Sequence, residues 1–123
     1  MPVVQNTSHL TITIWEDQVT IDSNVAELAI IEPGIVKTVN PSWTMFGGTA
    51  TFCNAITNPS DTETITNSLF SDTLDSSLSY VDGTFTVDGV TETPTISGQT
   101  VSYVIPTLAP GQTINICFRV LAA

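Results

Sequence analysis

Three side chains of this 123-residue sequence have the clearest capacity for covalent chemistry: Cys53, Cys117 and Lys37. Both cysteines fall on the polar side of strands with alternating polarity, whereas a disulfide that links two packed sheets needs cysteines that face inward. A disulfide between neighbouring strands on the outer face, or one between subunits, is therefore favoured, and two free thiols remain an equal alternative. Zinc binding is not expected, because two cysteines and one distant histidine do not have the spacing of a zinc site.

Lys37 has the same parity as Ile35 and Val39, so its aliphatic stem is expected to point toward the core. An unpaired ammonium group is costly there, and a buried lysine that loses its proton beside an acid can attack a side-chain carbonyl. An intramolecular isopeptide bond from Lys37 to Asn54 or Asp72 is therefore one hypothesis. The commoner arrangement is a lysine that extends to solvent at the rim of the fold or forms an ion pair with Asp72.

The sequence offers no catalytic constellation. His9 has no serine or cysteine motif to act with, and neither a phosphate-binding glycine loop nor the spacing of an EF-hand is present. We therefore predict that the protein is not an enzyme. Two pairs of aspartates, Asp72 with Asp75 and Asp82 with Asp88, could hold a calcium ion at a loop or a subunit junction. Aspartate more often occupies such places because it forms turns, so no cofactor is predicted, with calcium as the alternative.

The charge of the chain argues against two classes of partner. Twelve acidic residues stand against two basic ones, and the net charge is −10. Such a charge repels nucleic acid and anionic lipid, and no apolar run reaches membrane-spanning length, so neither nucleic acid binding nor membrane insertion is expected. Few basic residues with many threonines suit an extracellular protein. Residues 1–9 lack the features of a secretory signal, so we expect either a signal already removed or another route, such as spore release when the mother cell lyses.

The strand that organises the chain is the segment GGTATFCNAITNPS, residues 47–60. Apolar residues alternate with polar and small ones after the glycine pair, and the Asn-Pro-Ser triplet ends the run. The run TINICFRV, which begins at Thr113, alternates in the same way. About eight or nine such short strands, with tight-turn signals such as Asp-Gly between them, predict an all-β fold. The expected architecture is an immunoglobulin-like antiparallel β-sandwich, with a jelly-roll-like variant as the alternative.

The N-terminal segment has its own pattern. Residues 10–15, LTITIW, alternate and are rich in β-branched side chains, and residues 19–21 and 25–31 form an interrupted second strand. Together they predict a hairpin. The Glu-Pro-Gly triplet that follows marks a boundary, because proline fixes φ and removes an amide donor. We therefore predict an N-terminal strand segment, residues 1–34, and a sandwich core, residues 35–123.

The motifs GGTATFCNAITNPS, FSDTL, LSYVDGTFTVDGV and TLAPGQTINICFRV, preceded by IVKTVNPS, resemble in order and spacing a conserved repeat domain of bacterial and archaeal surface proteins. This family is known as domain of unknown function number eleven, and the resemblance covers residues 35–120. It implies an immunoglobulin-like sandwich, export to the cell or spore surface, and service as a stalk or wall module without known catalytic residues. The sequence departs from the family at Asn54, where an apolar residue is usual, and in having two cysteines.

The N-terminal hairpin resembles the closing strands that follow each repeat of that family in tandem arrays, but here these strands come first. They could fold back and close their own sandwich, or they could complete the sandwich of the next subunit by β-augmentation, which we favour. The expected donor residues are Leu10, Ile12, Ile14, Trp15, Val25, Leu28 and Ile30. The expected acceptor is an open edge beside the last strand, with Ile114, Ile116, Phe118 and Val120. Trp15 and Trp43 are expected to be core or interface anchors rather than a platform for sugars.

These features predict a structural subunit of an extracellular filament at the cell or spore surface, whose partner is a further copy of itself. The alternative is a ligand-binding or spacer module of a surface adhesin, in which the hairpin closes its own sandwich and loops near Asp61 and Asp88 contact a ligand.

Overall fold

All the secondary structure of residues 3–123, the part of the chain that the computed structural model describes, is antiparallel β-strand. The side chains of Val3, Val4, Ile14 and Ala29 lie outside that description. The predicted all-β antiparallel class is therefore confirmed. Within these residues, no helix is long and apolar enough to cross a lipid bilayer.

The chain divides into two compact units. The first, here called the hairpin unit, ends at Glu32, and the second, the sandwich unit, comprises Pro33–Ala123. The division falls within the Glu-Pro-Gly triplet, where a proline cannot donate a backbone hydrogen bond and so interrupts strand pairing.

The hairpin unit forms one long two-stranded ladder. Its strands are β1 (Val3–Asn6), β2 (His9–Ile14), β3 (Asp17–Asp22) and β4 (Ala26–Ala29). β2 pairs with β3 around a two-residue turn, and β1 pairs with β4. Two residues separate β1 from β2 and three separate β3 from β4, so the return strand has one extra residue, as in a β-bulge. The backbone N–H of Ser23 donates to the carbonyl of Ser8 at 2.8 Å and joins the ladder across this bulge.

The sandwich unit packs a larger sheet against a smaller one. The larger sheet contains β5 (Gly34–Asn40), β6 (Thr49–Thr57), β8 (Leu78–Tyr80), β9 (Thr86–Val87), β10 (Val90–Thr91) and β13 (Thr113–Ala122). Its order is β5-β6-β13-β9-β10, and β8 also pairs with β13. The smaller sheet contains β7 (Ile65–Thr73), β11 (Thr95–Ser97) and β12 (Thr100–Leu108), in the order β11-β12-β7. β5 and β7 are thus edge strands of their sheets.

The core of the sandwich unit centres on Phe118 of β13. Its ring centroid lies 6.1 Å from those of Phe52, Tyr80 and Phe85, distances at which aromatic rings attract each other. Strict alternation along β13 buries every second side chain in this core, because successive side chains of a strand point to opposite faces of the sheet. The buried members are Ile114, Ile116, Phe118, Val120 and Ala122.

The pairing of β13 corrects one prediction. The expected open acceptor edge beside residues 113–120 is wrong, because β13 pairs with β6 on one side and with β8 and β9 on the other. Directly after β8, the N–H of Val81 donates to the carbonyl of Arg119, and directly after β9, the N–H of Asp88 donates to the carbonyl of Asn115. The backbone of β13 therefore offers little to an incoming strand, and Ile114, Ile116, Phe118 and Val120 are core residues.

Candidate functional site

The hairpin unit has one apolar and one polar face, because directly paired residues of an antiparallel ladder lie on the same face. Leu10 pairs with Ile21 and Ile12 pairs with Val19, which places these four side chains together. The opposite face carries three polar pairs: His9 with Asp22, Thr11 with Thr20, and Thr13 with Gln18. The apolar face has no second layer within its own unit. Leu10, Val19 and Ile21 are exposed and Ile12 is partly buried.

A ladder of this kind has little stability by itself. A two-stranded hairpin is marginally stable in water unless it packs on further strands or a helix. Both long edges of the ladder also carry backbone groups that the hairpin itself does not pair. The hairpin unit therefore has an apolar face and free edges, the two features that strand addition to another sheet uses.

Trp15 stands at the tip of the hairpin. Its φ is +59°, in the left-handed region that glycine and asparagine favour at such turns, and the residue is 94% exposed. Trp43, in the loop between β5 and β6, is exposed too. Neither tryptophan is a core residue, so of the two expected roles only that of interface anchor stays a prediction.

The remaining predicted donor residues lie toward the far end of the hairpin unit. Val25 lies in the bulge, Leu28 lies in β4, and Ile30 follows β4; all three are exposed. Ile14 ends β2, but its side chain lies outside the described residues. The donor assignment itself stays a prediction.

An apolar groove opens between the edge strands β5 and β7 of the sandwich unit. Its volume is about 350 Å³, and side chains of the core form its floor. The lining includes Ile35 of β5, Ile56 of β6, Phe70 of β7 and Leu108 of β12. Ile56, Phe70 and Leu108 are buried. The groove is therefore a gap in the side of the sandwich that gives access to its core.

Ile35 shows that this side is uncovered. It pairs with Ile56, whose side chain belongs to the core, so Ile35 faces the interior as well. It is nevertheless 61% exposed. The inward-facing side chain of Ile35 is therefore left largely uncovered at the edge of the sandwich unit.

The side chains of Lys37, Asn54 and Asp72 all face the space between the two sheets. Lys37 on β5 pairs with Asn54 on β6, so the two side chains share the inner face of the larger sheet. Asp72 on β7 pairs with Val101, which is buried, so Asp72 faces inward from the smaller sheet. Lys37 Nζ lies 2.5 Å from Asp72 Oδ2, and 4.5 Å from the ring centroid of Phe52. The predicted Lys37–Asp72 ion pair is present, and it bridges the two edge strands.

The two cysteines form a disulfide within the sandwich unit. Cys53 of β6 and Cys117 of β13 are direct partners in the ladder, with their Cα atoms 4.1 Å apart. Their neighbours Phe52 and Phe118 face the core, so the disulfide lies on the outer face of the sheet. Of the three alternatives that the sequence left open, the disulfide between neighbouring strands is the one formed.

Three of the four aspartates considered for calcium, Asp72, Asp75 and Asp88, have other partners. Asp75 accepts hydrogen bonds from the backbone N–H and the hydroxyl of Ser77, and these, the backbone bond first, hold the pKa of its carboxyl below its usual value. Asp88 accepts the backbone N–H of Asn115 at 2.8 Å. In residues 3–123, no group of three or more His, Cys, Asp or Glu side chains is placed to hold a metal ion. Calcium binding stays a prediction. His9 is exposed and pairs with Asp22.

No family model, no curated protein and no solved structure matches this chain. The resemblance to domain of unknown function number eleven therefore stays a prediction.

Sequence reasoning missed the groove between β5 and β7. The sequence feature that points to the groove is Ile35, an isoleucine on the inward-facing side of β5, the first strand after the Glu-Pro-Gly triplet. That signal becomes informative only when the order of the strands in both sheets is known.

Proposed function

We propose that this protein is a structural subunit that polymerises into an extracellular filament, in which the hairpin unit of one copy fills the groove between β5 and β7 of the next. One observation carries the proposal: the same chain has an amphipathic hairpin with an exposed apolar face and a sandwich with an apolar groove between its edge strands β5 and β7. The two features are complementary in chemistry and in secondary structure.

Strand addition would satisfy both surfaces at once. The edges of the hairpin and of β5 or β7 would exchange backbone hydrogen bonds, each worth about 0.5–1.5 kcal/mol net. The apolar face of the hairpin would cover the floor of the groove, at about 25 cal/mol for each Å² of apolar surface removed from water. The hairpin unit of a second copy of this chain has the surfaces that such an occupant needs.

The geometry of such a contact favours a fibre. Donor and acceptor are different surfaces, so each subunit that fills one groove still presents an empty groove of its own. Contacts of this kind close into a ring only if the rotation between subunits permits it, and otherwise continue without limit. The strongly acidic composition suits an extracellular surface and gives no support to nucleic acid or anionic lipid as a partner.

Two single substitutions on the same strand test the donor. Ile21→Asp places a charge on the apolar face of the hairpin, and Thr20→Asp places the same charge on the polar face, one residue away. Both positions are exposed, so neither change should disturb the subunit itself. We expect negative-stain electron microscopy to show filaments for the wild type and for Thr20→Asp, and separate particles for Ile21→Asp. Separate particles for all three proteins would instead indicate a hairpin that closes its own sandwich and would favour the spacer or adhesin alternative.

A further inference from the structure

A second site in the sandwich unit has the composition of a self-modifying cluster. Lys37, Asn54 and Asp72 come from three different strands, β5, β6 and β7, and all face the space between the two sheets. An amine, a carboxamide and a carboxylate that share one partly enclosed space are the groups that an amide exchange requires. The proposed filament function makes no use of them.

Asn54 is the unexplained member of this cluster. It is 2% exposed, and its Nδ2 has no hydrogen-bond partner among the described residues. Leaving a buried polar group unpaired costs about 1–3 kcal/mol. Asn58, at the end of the same run, shows the usual arrangement: its Nδ2 donates to the carbonyls of Glu63 and Leu108, at 2.7 Å and 2.9 Å. Asn54 lies directly opposite Lys37 in the ladder. The energetic cost of its unpaired nitrogen requires a physical explanation.

Lys37 lies beside a proton acceptor and an aromatic ring. Nζ donates to Asp72 Oδ2 at 2.5 Å, which is a direct path for its proton. The ring of Phe52 covers Nζ from another side, with its centroid at 4.5 Å. The side chain of Asp72 is 12% exposed and that of Lys37 is 43% exposed, so the carboxylate lies deeper than the lysine.

We infer that Lys37 and Asn54 form an intramolecular isopeptide bond. The carboxylate of Asp72 takes a proton from Nζ, and the free amine attacks Cγ of Asn54. Asp72 passes that proton to Nδ2, the bond between Cγ and Nδ2 breaks, and the nitrogen leaves as ammonia. Asp72 then carries a second proton from Nζ to the ammonia, which becomes ammonium. The lysine ammonium and the carboxamide are thereby converted to a secondary amide and an ammonium ion, and Asp72 ends as the carboxylate it was at the start.

Asn54 is favoured over Asp72 as the acceptor. Amide exchange replaces one amide by another and releases ammonium, whereas condensation of an amine with an unactivated carboxylate must expel water and is unfavourable in aqueous solution. The exchange also removes the unpaired Nδ2, because that atom departs. Asp72 therefore acts as the proton carrier, and the bond covalently fixes the edge strand β5 to β6.

Mass spectrometry of the intact, denatured chain tests the inference. We expect the wild-type mass to be lower than that of the sequence, with its disulfide, by one ammonia molecule. Peptide mapping should place the link between Lys37 and Asn54. Lys37→Arg and Asp72→Asn should each have the full mass that their sequence predicts, while Asp61→Asn, which removes an exposed acid outside the cluster, should lose ammonia as the wild type does.

Three results would overturn it. A wild-type mass that shows no loss after prolonged incubation of the folded chain at neutral pH excludes the bond. Loss of water in place of ammonia makes Asp72 the acceptor and excludes Asn54. Loss of ammonia that persists in Lys37→Arg assigns it to a different reaction, such as cyclisation at an asparagine. None of these measurements depends on whether the protein forms filaments.

Discussion

Substitution of Ile35 tests the groove, and its neighbour Val36 provides the matched control. Both residues lie on β5 and are more than half exposed, at 61% and 63%. Ile35 faces inward beside Ile56, whereas Val36 pairs with Ala55 and faces outward. Ile35→Asp and Val36→Asp therefore introduce the same charge at equally exposed positions on opposite faces of one strand.

The expected magnitude follows from this exposure. Full burial of an isoleucine side chain is worth about 1.5–3 kcal/mol, so covering the exposed part of Ile35 would contribute about 1–2 kcal/mol to assembly. Ile35→Asp loses this contribution and also buries a carboxylate without a partner, which adds at least about 2 kcal/mol. The total of at least about 3 kcal/mol corresponds to association more than about a hundredfold weaker. The free energy of unfolding of the unassembled subunit should change by less than about 1 kcal/mol, because the site is already exposed.

Two assays separate these effects. Urea denaturation measures the stability of the subunit, and sedimentation velocity over a range of protein concentrations measures its association. We expect Ile35→Asp to retain its fold and stay monomeric at concentrations where the wild type and Val36→Asp polymerise. Association of Ile35→Asp like that of the wild type would contradict this expectation, and so would an equal loss of association in Val36→Asp.

Two further predictions concern the disulfide and the net charge. Reduction of the disulfide, or its removal by Cys53→Ser with Cys117→Ser, should lower the free energy of unfolding by about 4 kcal/mol, because the loop it closes has a sequence separation of 64. Urea denaturation with and without reductant measures this change. An unchanged midpoint of unfolding would contradict the prediction. Five acidic residues lie in residues 1–32, and seven acidic and two basic residues lie in residues 33–123, so both units carry a formal charge of −5. Because the two units repel each other, assembly should become stronger when the salt concentration rises from about 0.01 M to about 0.15 M and the Debye length falls from about 30 Å to about 8 Å. Light scattering that decreases over this range would contradict the prediction.

The sequence predicted those features that depend on local alternation. The period of two along β6 and β13 identified their core-facing residues, because each strand lies in a sheet with one buried face. The Asp-Gly dipeptide at residues 88–89 predicted a tight turn, and both residues have positive φ between β9 and β10. Parity also placed Lys37 on the inner face and Cys53 on the outer one.

The pairing order of the strands could not be predicted in this way. The resemblance to the repeat family suggested an open edge beside β13, but the short strands β8 and β9 pair with it. The open side lies instead between β5 and β7, which are adjacent neither in sequence nor in hydrogen bonding. Which edges stay free depends on contacts between distant segments, and alternation within one strand has no information about those contacts.

In the proposed filament the hairpin unit of one copy occupies the groove of another, and a mixing experiment detects this single contact. Ile21→Asp has a defective donor and an intact groove, whereas Ile35→Asp has an intact donor and a defective groove. Each variant alone should be monomeric. Because only one of the two possible contacts can form in an equimolar mixture, size-exclusion chromatography with light scattering should detect a dimer with one copy of each variant that grows no further. A mixture that stays monomeric, while the wild type is also monomeric, would contradict strand donation between subunits.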